Sequence, residues 1–178
     1  MPADRLSRFL SYPLRHRPQE YPLRFDAQGF VSWAELKELV CRRFSDVTEQ
    51  DLLGLLTEAE KQRFEMRAGK VRATYGHSFP VDLGAANVAP PARLYHGAAR
   101  DLAESMLHQG LKPRGRAFVH LSASADEALA VGRRHDPSAS VVVIDAEAAH
   151  AAGILFYLSG PVYLAAEIPA RFLSLQKE

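Results

Sequence analysis

Arginine and histidine lie together at three places in this chain of 178 residues: Arg15-His16, Arg72 with His77, and Arg134-His135. If folding brought three guanidinium groups within about 6 Å of one another, each pair would repel by roughly 2 to 3 kcal/mol at an effective dielectric constant of about 20. A phosphate would offset that repulsion, because each charge-assisted hydrogen bond to it contributes roughly 1.5 to 3 kcal/mol. The pattern therefore favours recognition of a dianionic phosphoryl group. The alternative is three unrelated surface pairs.

The composition is that of a globular protein, with 47% hydrophobic and 24% charged residues. Lys and Arg number 22 against 21 Asp and Glu, so the net charge does not by itself predict nucleic-acid binding, although a local basic face remains open. No apolar run is long enough to span a bilayer, and we expect no membrane partner. The N-terminus lacks the apolar stretch of a secretory signal, and Cys41 has no second cysteine to pair with. We therefore expect a cytoplasmic protein, and we expect a monomer.

The N-terminal lobe, residues 1–82, is predicted to contain helices followed by a β-hairpin. Leucines at helical spacing followed by Pro18 predict a first helix that ends at Arg15-His16. Residues 63–67 and 70–75 alternate around a two-residue connection, which is typical of a hairpin. Helices that end in a hairpin suggest a winged helix.

Capping signals predict two further helices in this lobe. Ser32 with Glu35 and Thr48 with Asp51 each have the spacing of a capping box before a run of apolar residues.

The C-terminal lobe, residues 91–178, is predicted to be a mixed, strand-rich lobe, with residues 79–93 as the linker before it. Two or three short helices are interleaved with strand candidates at 93–96, 118–122, 141–145, 162–165 and 171–175. A capping-box spacing predicts a helix over residues 125–134, which places Arg134 near a helix terminus. The predicted fold class is α+β in two lobes.

Several residues of the first lobe could bind an anion. Lys70 and Arg72 are two apart on a predicted strand, so their side chains project from one face; a solvated strand edge is the alternative. Gly76-His77-Ser78 could offer backbone and side-chain donors to phosphate oxygens; a plain turn with a capping serine is the alternative.

In the second lobe, Tyr95-His96-Gly97 would place an imidazole beside exposed backbone at a strand end, where a planar amide-bearing ring could stack and hydrogen-bond. A core tyrosine and a turn glycine are the alternative. His120 and Ser122 share one face of the next strand, where a half-buried histidine with its hydrogen bonds satisfied is the default interpretation. No metal is expected, since the chain has neither a zinc-type histidine motif nor a cysteine pair. Walker A and Rossmann glycine motifs are also absent.

Read in order, the motifs of this chain resemble those of the RNA 2′-phosphotransferase family, the KptA group of tRNA 2′-phosphotransferases. The motifs are Leu14-Arg15-His16-x-Pro18, Arg63-Phe64-Glu65, Arg72-Ala73-x-x-Gly76-His77-Ser78, Leu94-Tyr95-His96-Gly97, Val119-His120-Leu121-Ser122 and Gly132-x-Arg134-His135. The resemblance implies an N-terminal winged-helix lobe that receives RNA and a C-terminal lobe with an ADP-ribosyltransferase-like fold that binds NAD. It further implies tRNA splicing as the setting of the reaction.

The reaction implied by this resemblance has two steps. An internal RNA 2′-phosphate attacks C1″ of NAD and expels nicotinamide, which gives an RNA-2′-phospho-ADP-ribose intermediate. The ribose O2″ then attacks the phosphorus, releasing RNA with a free 2′-hydroxyl and ADP-ribose 1″,2″-cyclic phosphate. Held in line by guanidinium groups, the phosphate would be positioned for both steps.

The resemblance also assigns roles to residues. Arg15, His16, Arg72 and Arg134 form the implied catalytic core, with Arg134 chiefly stabilising the second step and Lys70 assisting at the phosphate. The residues implied for NAD are His77, Ser78, Tyr95, His96, Gly97, His120, Ser122 and Gly132. Ala98 stands where the family usually has threonine, which removes one hydroxyl contact to NAD.

Two rival functions remain open from the sequence. One is an ADP-ribosyltransferase that stops after the first step and caps terminal phosphates of RNA or DNA. The other is a winged-helix nucleic-acid binder without catalytic activity.

Overall fold

The computed structural model of the chain describes residues 3–57, 63–82, 84 and 87–176. By its internal contacts the chain divides into two units, Met1–Gly84 and Ala85–Glu178. Within the described residues there are six α-helices and nine short strands, which form small antiparallel sheets. This mixture of helices and small antiparallel sheets confirms the predicted α+β class.

The N-terminal unit contains three helices and one three-stranded sheet. Its elements are α1 (Ala3–Arg15), β1 (Val31–Ser32), α2 (Trp33–Arg43), α3 (Glu49–Thr57), β2 (Phe64–Arg67) and β3 (Lys70–Ala73), with a 3-10 turn at Pro18–Glu20. The sheet order is β1-β3-β2, and both pairings are antiparallel. The core of this unit collects apolar side chains from all three helices and from the sheet.

Helix α1 positions the first arginine-histidine pair. Leu6, Leu10 and Leu14 recur at helical spacing and are at most 2% exposed, so one stripe of the helix packs on the core. The helix ends at Arg15, before Pro18, as predicted. Because Arg15 is the last helical residue, Arg15 and His16 lie where the chain leaves the helix.

The β2–β3 hairpin has the predicted two-residue connection. Ala68 and Gly69 both have positive φ, 48° and 72°, as a type I′ turn requires. The register pairs Arg67 with Lys70 and Glu65 with Arg72. The second of these pairs places an acidic and a basic side chain directly opposite each other across the hairpin.

Of the two capping boxes predicted in this unit, one is confirmed and one is wrong. Thr48 and Asp51 exchange hydrogen bonds, since the Thr48 amide donates to the Asp51 carboxylate at 2.8 Å and the Asp51 amide donates to the Thr48 hydroxyl at 3.2 Å. Ser32 precedes α2 as predicted but makes no side-chain cap, and the Glu35 carboxylate, which would complete the box at the Ser32 amide, binds the Arg24 guanidinium at 2.7 Å. The competing charge on Arg24 satisfies the glutamate that would otherwise complete the box.

The C-terminal unit contains two three-stranded antiparallel sheets and three helices. Its elements are β4 (Arg93–Ala98), α4 (Arg100–Gln109), β5 (Val119–Leu121), α5 (Ala125–Gly132), β6 (Ser140–Asp145), α6 (Ala146–Ala151), β7 (Tyr157–Ser159), β8 (Val162–Ala165) and β9 (Leu173–Leu175), with a 3-10 turn at Ala170–Phe172. The sheet orders are β4-β6-β9 and β5-β8-β7. The strand candidates are confirmed with small shifts at their ends, whereas β7 was not predicted.

Two contacts shape the part of this unit that carries the predicted NAD residues. Tyr95 and Ser122 exchange backbone hydrogen bonds of 2.9 and 2.8 Å, so β4 is joined to the chain just beyond β5. Ser124 caps α5 by accepting a bond from the Glu127 amide at 3.2 Å, as its spacing predicts. Helix α5 therefore begins a few residues after the bridge.

Within the predicted linker the described residues bond to both units. The Asp82 amide donates to the Ala27 carbonyl at 2.9 Å, and the Val88 amide donates to the Phe156 carbonyl at 2.8 Å. Three linker residues, at positions 83, 85 and 86, lie outside the described residues. Among the residues described, no helix is long and apolar enough to span a membrane.

Candidate functional site

The Arg15 guanidinium is held by an aromatic and backbone environment. It lies 4.7 Å from the centre of the Tyr75 ring and 5.8 Å from that of Phe64, within the range of cation–π attraction. Its Nη2 donates to the Arg63 carbonyl at 3.4 Å. The guanidinium is therefore positioned by side chains and backbone of the segment that includes the hairpin.

The loop Gly76-His77-Ser78 follows the hairpin and docks on the end of α1. The Ser78 amide donates to the Arg15 carbonyl at 2.8 Å, which satisfies one of the orphan acceptors at a helix C-terminus. The Ser78 hydroxyl lies 3.3 Å from Nδ1 of His16. Gly76 has φ of 88°, and a Cβ there would lie 3.4 Å from Cδ of Arg15, so the loop fits closely beside the arginine.

His77 is the buried member of this group. Its side chain is 4% exposed, packs edge-on against Phe79 at 5.5 Å, and has its Nε2 without a hydrogen-bond partner among the described residues. Burial, followed by the positive charges of Arg15, Arg72 and His16, lowers the pKa of His77 to about 4. His77 is therefore neutral at physiological pH.

The same electrostatic effect indicates which predicted residues lie near His77. Arg15, His16 and Arg72 come from two different elements, yet all three lie close enough to His77 to depress the pKa of its imidazole. Three of the four residues of the predicted catalytic core thus lie near His77 within the N-terminal unit. A buried neutral histidine fits such a cluster because it adds no further positive charge to it.

Arg72 is fixed on three sides. Its Nε donates to the carboxylate of Glu65, the residue opposite it in the hairpin, and its Nη1 donates to the Gln28 carbonyl at 3.0 Å. The guanidinium also lies 4.6 Å from the centre of the Phe30 ring. With its side chain 13% exposed, Arg72 is held in one orientation before any ligand binds.

Lys70 lies on the same strand face as Arg72, as predicted, but is engaged elsewhere. Its Nζ forms an ion pair with the Asp26 carboxylate at 2.9 Å, in the turn that also accepts amide bonds from Gln28 and Phe30. The ion pair is half-exposed, so solvent and salt screen it. Assistance at the phosphate by Lys70 stays a prediction, and it would require this pair to open.

In the C-terminal unit, His96 is the most constrained of the predicted residues. Its Nδ1 lies 2.9 Å from the His120 carbonyl, which can only accept, so Nδ1 carries the proton and Nε2 is left as an acceptor. Burial lowers the pKa of His96, as does the charge of Arg116, although the bond to His120 raises it. The imidazole is therefore neutral, with a defined tautomer.

Backbone contacts connect His96 and its neighbour Tyr95 to His120 and Ser122. Tyr95 and Ser122 form the backbone bridge described above, and His120 supplies the carbonyl that fixes His96. Four of the residues predicted to bind NAD are thus brought together where β4 meets β5 and the residue that follows it. Direct contact with NAD stays a prediction for each of them.

Gly97 and Gly132 have a packing role in this structure. A Cβ at Gly97 would overlap the Ala128 carbonyl oxygen, and a Cβ at Gly132 would lie 3.1 Å from the carbonyl carbon of Gly97. The absence of side chains lets α5 lie directly on β4. Both glycines were predicted to contact the cofactor, a role that stays a prediction.

Arg134 lies two residues beyond α5 and is exposed, with its amide donating to the Val131 carbonyl at 3.2 Å. Its position near a helix terminus is as predicted. The backbone of His135 is likewise tied to α5, through a bond of 2.9 Å to the Gly132 carbonyl.

Four residues that the sequence interpretation gave no role take part in these arrangements: Phe30, Glu65, Tyr75 and Arg116. Glu65 could have been found, because a two-residue connection at Ala68-Gly69 places residues 65 and 72 opposite each other by counting. The stacking of Phe30 and Tyr75 has no such local signal. Arg116 influences His96 across twenty residues of sequence. No group of three or more potential metal ligands occurs among the described residues.

Comparison with known proteins gives one family. The model of the "RNA 2′-phosphotransferase, Tpt1 / KptA family" matches residues 2–166. A protein of Acetivibrio thermocellus named "Probable RNA 2′-phosphotransferase" is 39% identical over 179 residues, which cover 97% of each chain. Proteins of the same name from Thermococcus kodakarensis, 41% identical over 88% of this chain and 87% of the relative, and from Agrobacterium fabrum, 39% identical over 97% and 94%, are similar throughout. With a family match over nearly its whole length, this chain belongs to the RNA 2′-phosphotransferase family.

Proposed function

We propose that this protein removes an internal 2′-phosphate from RNA in a reaction that consumes NAD. Membership of the RNA 2′-phosphotransferase family supports removal of the 2′-phosphate. The products would be RNA with a free 2′-hydroxyl, nicotinamide and ADP-ribose 1″,2″-cyclic phosphate.

The single observation that carries this proposal is the cationic group around His77. Arg15 and His16 contact Gly76 and Ser78, the residues on either side of His77, and the charges of Arg15, Arg72 and His16 all lower the pKa of that buried imidazole. These positive charges therefore lie near one place. Concentrated cations repel one another unless an anion binds between them. A phosphate monoester dianion is the ligand that such a group suits best.

The orientation of the cations also suits phosphate. Arg72 is fixed by Glu65 and the Gln28 carbonyl, and Arg15 is fixed by Tyr75 and Phe64, so little side-chain entropy remains to be lost on binding. Pre-oriented guanidinium groups can hold a phosphate in line for attack, which accounts for much of the rate enhancement in phosphoryl chemistry.

For the two units we propose a winged helix and an ADP-ribosyltransferase-like fold. The N-terminal unit supports the first with three helices and an antiparallel sheet that ends in a hairpin. The C-terminal unit supports the second with two small antiparallel sheets and short helices.

We place the RNA against the end of α1 and the hairpin rather than against α3. Helix α3 carries Glu49 and Asp51 and no basic residue, so its field repels a phosphate backbone. The hairpin instead carries three basic residues, at positions 67, 70 and 72, and Arg63 lies just before it.

The proposed reaction has two steps, transfer of ADP-ribose to the 2′-phosphate and then transesterification. In the first, a 2′-phosphate oxygen bonds to C1″ of the ribose that bears nicotinamide, and the C1″–N bond breaks with its electron pair leaving on nicotinamide. In the second, O2″ bonds to phosphorus and the bond from phosphorus to the RNA O2′ breaks, with the proton of O2″ passing in net to O2′. Arg15, His16 and Arg72 hold the phosphate in both steps, and Arg134 stabilises the charge that builds up in the second.

NAD would supply the electrophilic C1″ carbon, and the C-terminal unit fits it. The imidazole of His96 is neutral and has its Nε2 lone pair available for a ribose hydroxyl or an amide donor. A neutral ring also adds no positive charge beside the oxocarbenium-like centre that the first step creates. Tyr95, His120 and Ser122 would bind NAD together with His96.

The decisive experiment is incubation of the protein with NAD and an oligoribonucleotide that carries one internal 2′-phosphate. We expect dephosphorylated RNA together with nicotinamide and ADP-ribose 1″,2″-cyclic phosphate, identified by mass spectrometry. No product should form without NAD. Absence of all three products from a folded protein would refute the proposal, and a stable ADP-ribose cap on a terminal phosphate would show the rival ADP-ribosyltransferase instead.

A matched pair of variants ties the activity to the site. Arg72→Ala removes a guanidinium of the cationic group and should abolish phosphate removal. Arg42→Ala removes an exposed arginine of α2, away from the hairpin, and turnover should fall by no more than about twofold, since its pair with Glu38 is exposed. Equal losses in both variants would count against a specific role for Arg72.

A further inference from the structure

We propose that Ser78 is a positioning residue that holds the imidazole of His16 in one tautomer, with the proton on Nδ1. The functional part of this inference rests on the function proposed above. This role differs from the contact with NAD that the family resemblance implies for Ser78.

Three contacts place the Ser78 hydroxyl at the end of α1. The oxygen lies 3.2 Å from the Arg15 carbonyl, 3.4 Å from the His16 carbonyl and 3.3 Å from Nδ1 of His16. The backbone is anchored independently, because the Ser78 amide donates to the Arg15 carbonyl at 2.8 Å. These bonds hold the hydroxyl next to the imidazole.

The direction of these bonds follows from what each group can do. A serine hydroxyl has one hydrogen to donate, and both carbonyl oxygens can only accept. If that hydrogen pointed at His16, the lone pairs of the hydroxyl would face two carbonyl oxygens with no proton between them. The hydrogen is therefore donated to a carbonyl, and the hydroxyl oxygen accepts a bond from the Nδ1–H of His16.

A proton on Nδ1 determines what the other ring nitrogen does. In the neutral imidazole Nε2 is then an acceptor, and in the imidazolium Nε2–H is a donor suited to a phosphate oxygen. Free histidine prefers the other tautomer, with the proton on Nε2, so a fixed partner at Nδ1 is needed to hold this one. Ser78 supplies that partner.

The neighbouring loop residues support the same role for the loop as a whole. Gly76 fits beside the Arg15 side chain, and His77, the next residue, is buried. The hydroxyl of Ser78 is thus part of a support that orients Arg15 and His16, and an NAD phosphate would have to displace these bonds to reach it.

The test is the tautomer of His16, measured in the folded protein by long-range ¹H–¹⁵N correlation spectra at a pH where the imidazole is neutral. The signal is assigned by its loss in His16→Gln. We expect the wild type to carry the proton on Nδ1, and Ser78→Ala to move it to Nε2. Ser78→Ala removes only the hydroxyl, because the amide bond to Arg15 stays.

Two control variants separate positioning from general structure. Ser78→Thr keeps a hydroxyl and should keep the Nδ1 proton. Ser11→Ala removes a hydroxyl that donates within α1, to the Ser7 carbonyl at 2.8 Å, and should leave the His16 signal unchanged. A wild-type proton on Nε2, or an Nδ1 proton that survives in Ser78→Ala, would overturn the inference.

The kinetic consequence is measured on the 2′-phosphorylated oligonucleotide. Ser78→Ala should lower kcat about tenfold, as loss of an orienting partner commonly does, with KM for RNA changed by less than about threefold. Ser78→Thr should restore most of kcat. A tenfold loss of kcat without a tautomer change would refute the positioning role. A tautomer shift in a protein that does not turn over this RNA would instead leave the role of Ser78 standing and count against the proposed function.

Discussion

Gly97 in β4 and Gly132 at the end of α5 pack backbone against backbone. A Cβ at Gly132 would lie 3.1 Å from the carbonyl carbon of Gly97, and one at Gly97 would lie 2.7 Å from the carbonyl carbon of Ala128. Atoms of the backbone cannot rotate away as a side chain can. The contact therefore sets the distance between the helix that precedes Arg134 and the strand that carries His96.

We expect Gly97→Ala to destabilise the C-terminal unit by about 3 kcal/mol or more, because the added methyl group overlaps backbone atoms. Urea denaturation monitored by circular dichroism measures the loss. The control is Gly54→Ala in α3, where a Cβ meets nothing within 4 Å and where alanine should instead stabilise the helix by up to about 1 kcal/mol. Similar midpoints for Gly97→Ala and wild type would show that α5 can move away from β4.

Burial of neutral His77 predicts an acid-sensitive fold. The folded pKa of His77 is about 4, below its ordinary value of 6.5, so between those pH values the unfolded chain binds a proton that the native state does not. Stability should therefore be unaffected by His77 above pH 6.5 and should fall by about 3 kcal/mol as the pH decreases to 4.

The measurement compares urea denaturation from pH 7 to pH 4 in wild type and in His77→Gln. Carboxylates titrate in both proteins, so the difference between their curves isolates His77. We expect a shallower decrease in the variant. Parallel curves would mean that the imidazole is not neutral and buried in solution.

The ion pair between Glu65 and Arg72 predicts that Glu65 is a positioning residue for Arg72. Glu65→Ala should lower kcat/KM for the 2′-phosphorylated RNA about tenfold or more, since Arg72 loses the partner that orients it. Steady-state assays measure this. Glu38→Ala, which breaks an exposed pair with Arg42 on α2, is the matched control and should change kcat/KM by no more than about twofold. Comparable losses of kcat/KM in the two variants would contradict a specific role of Glu65 in orienting Arg72.

The hairpin connection contains a correctable strain. Ala68 has φ of 48°, a conformation that costs non-glycine residues roughly 1 kcal/mol and that asparagine tolerates better. Ala68→Asn should raise the free energy of unfolding by about 0.5 to 1 kcal/mol in urea denaturation. Gly69→Ala, at φ of 72° in open space, should lower it by about 1 kcal/mol. If the free energy of unfolding changed in the same direction in both variants, a type I′ turn would be contradicted.

Arg134→Ala tests the assignment of the second chemical step. With the phosphate still held by Arg15, His16 and Arg72, the first step should proceed while transesterification slows. We expect the ADP-ribosylated RNA to accumulate, as detected by mass spectrometry of the oligonucleotide. Loss of all product without this species would place Arg134 in the first step or in binding.

Much of the secondary structure was predictable from local pattern. The leucine spacing in α1, the Thr48–Asp51 capping box and the Ala68-Gly69 connection each specify a conformation within a few residues. The connection also specifies the register, so the opposition of Glu65 and Arg72 follows from counting. The short strand β7 was missed because three residues carry too little periodicity to be recognised.

Other features depended on residues distant in the chain. Glu35 has capping-box spacing, yet its carboxylate binds Arg24, a competitor that local spacing does not reveal. The loop that contains His77 has the sequence of an exposed phosphate-binding loop, yet the imidazole of His77 is buried. Ser78 meets His16 across 62 positions of sequence.

The sequence by itself determined which residues could bind a phosphate, which family the chain resembles and where most helices and strands lie. Tertiary structure decided which nitrogen of His96 carries a proton, that His77 is neutral, and what holds Arg15, His16 and Arg72 in place. The physical reason is that helix, turn and strand patterns arise from interactions over a few residues. Burial, charge proximity and hydrogen-bond direction arise only when elements distant in the chain pack together.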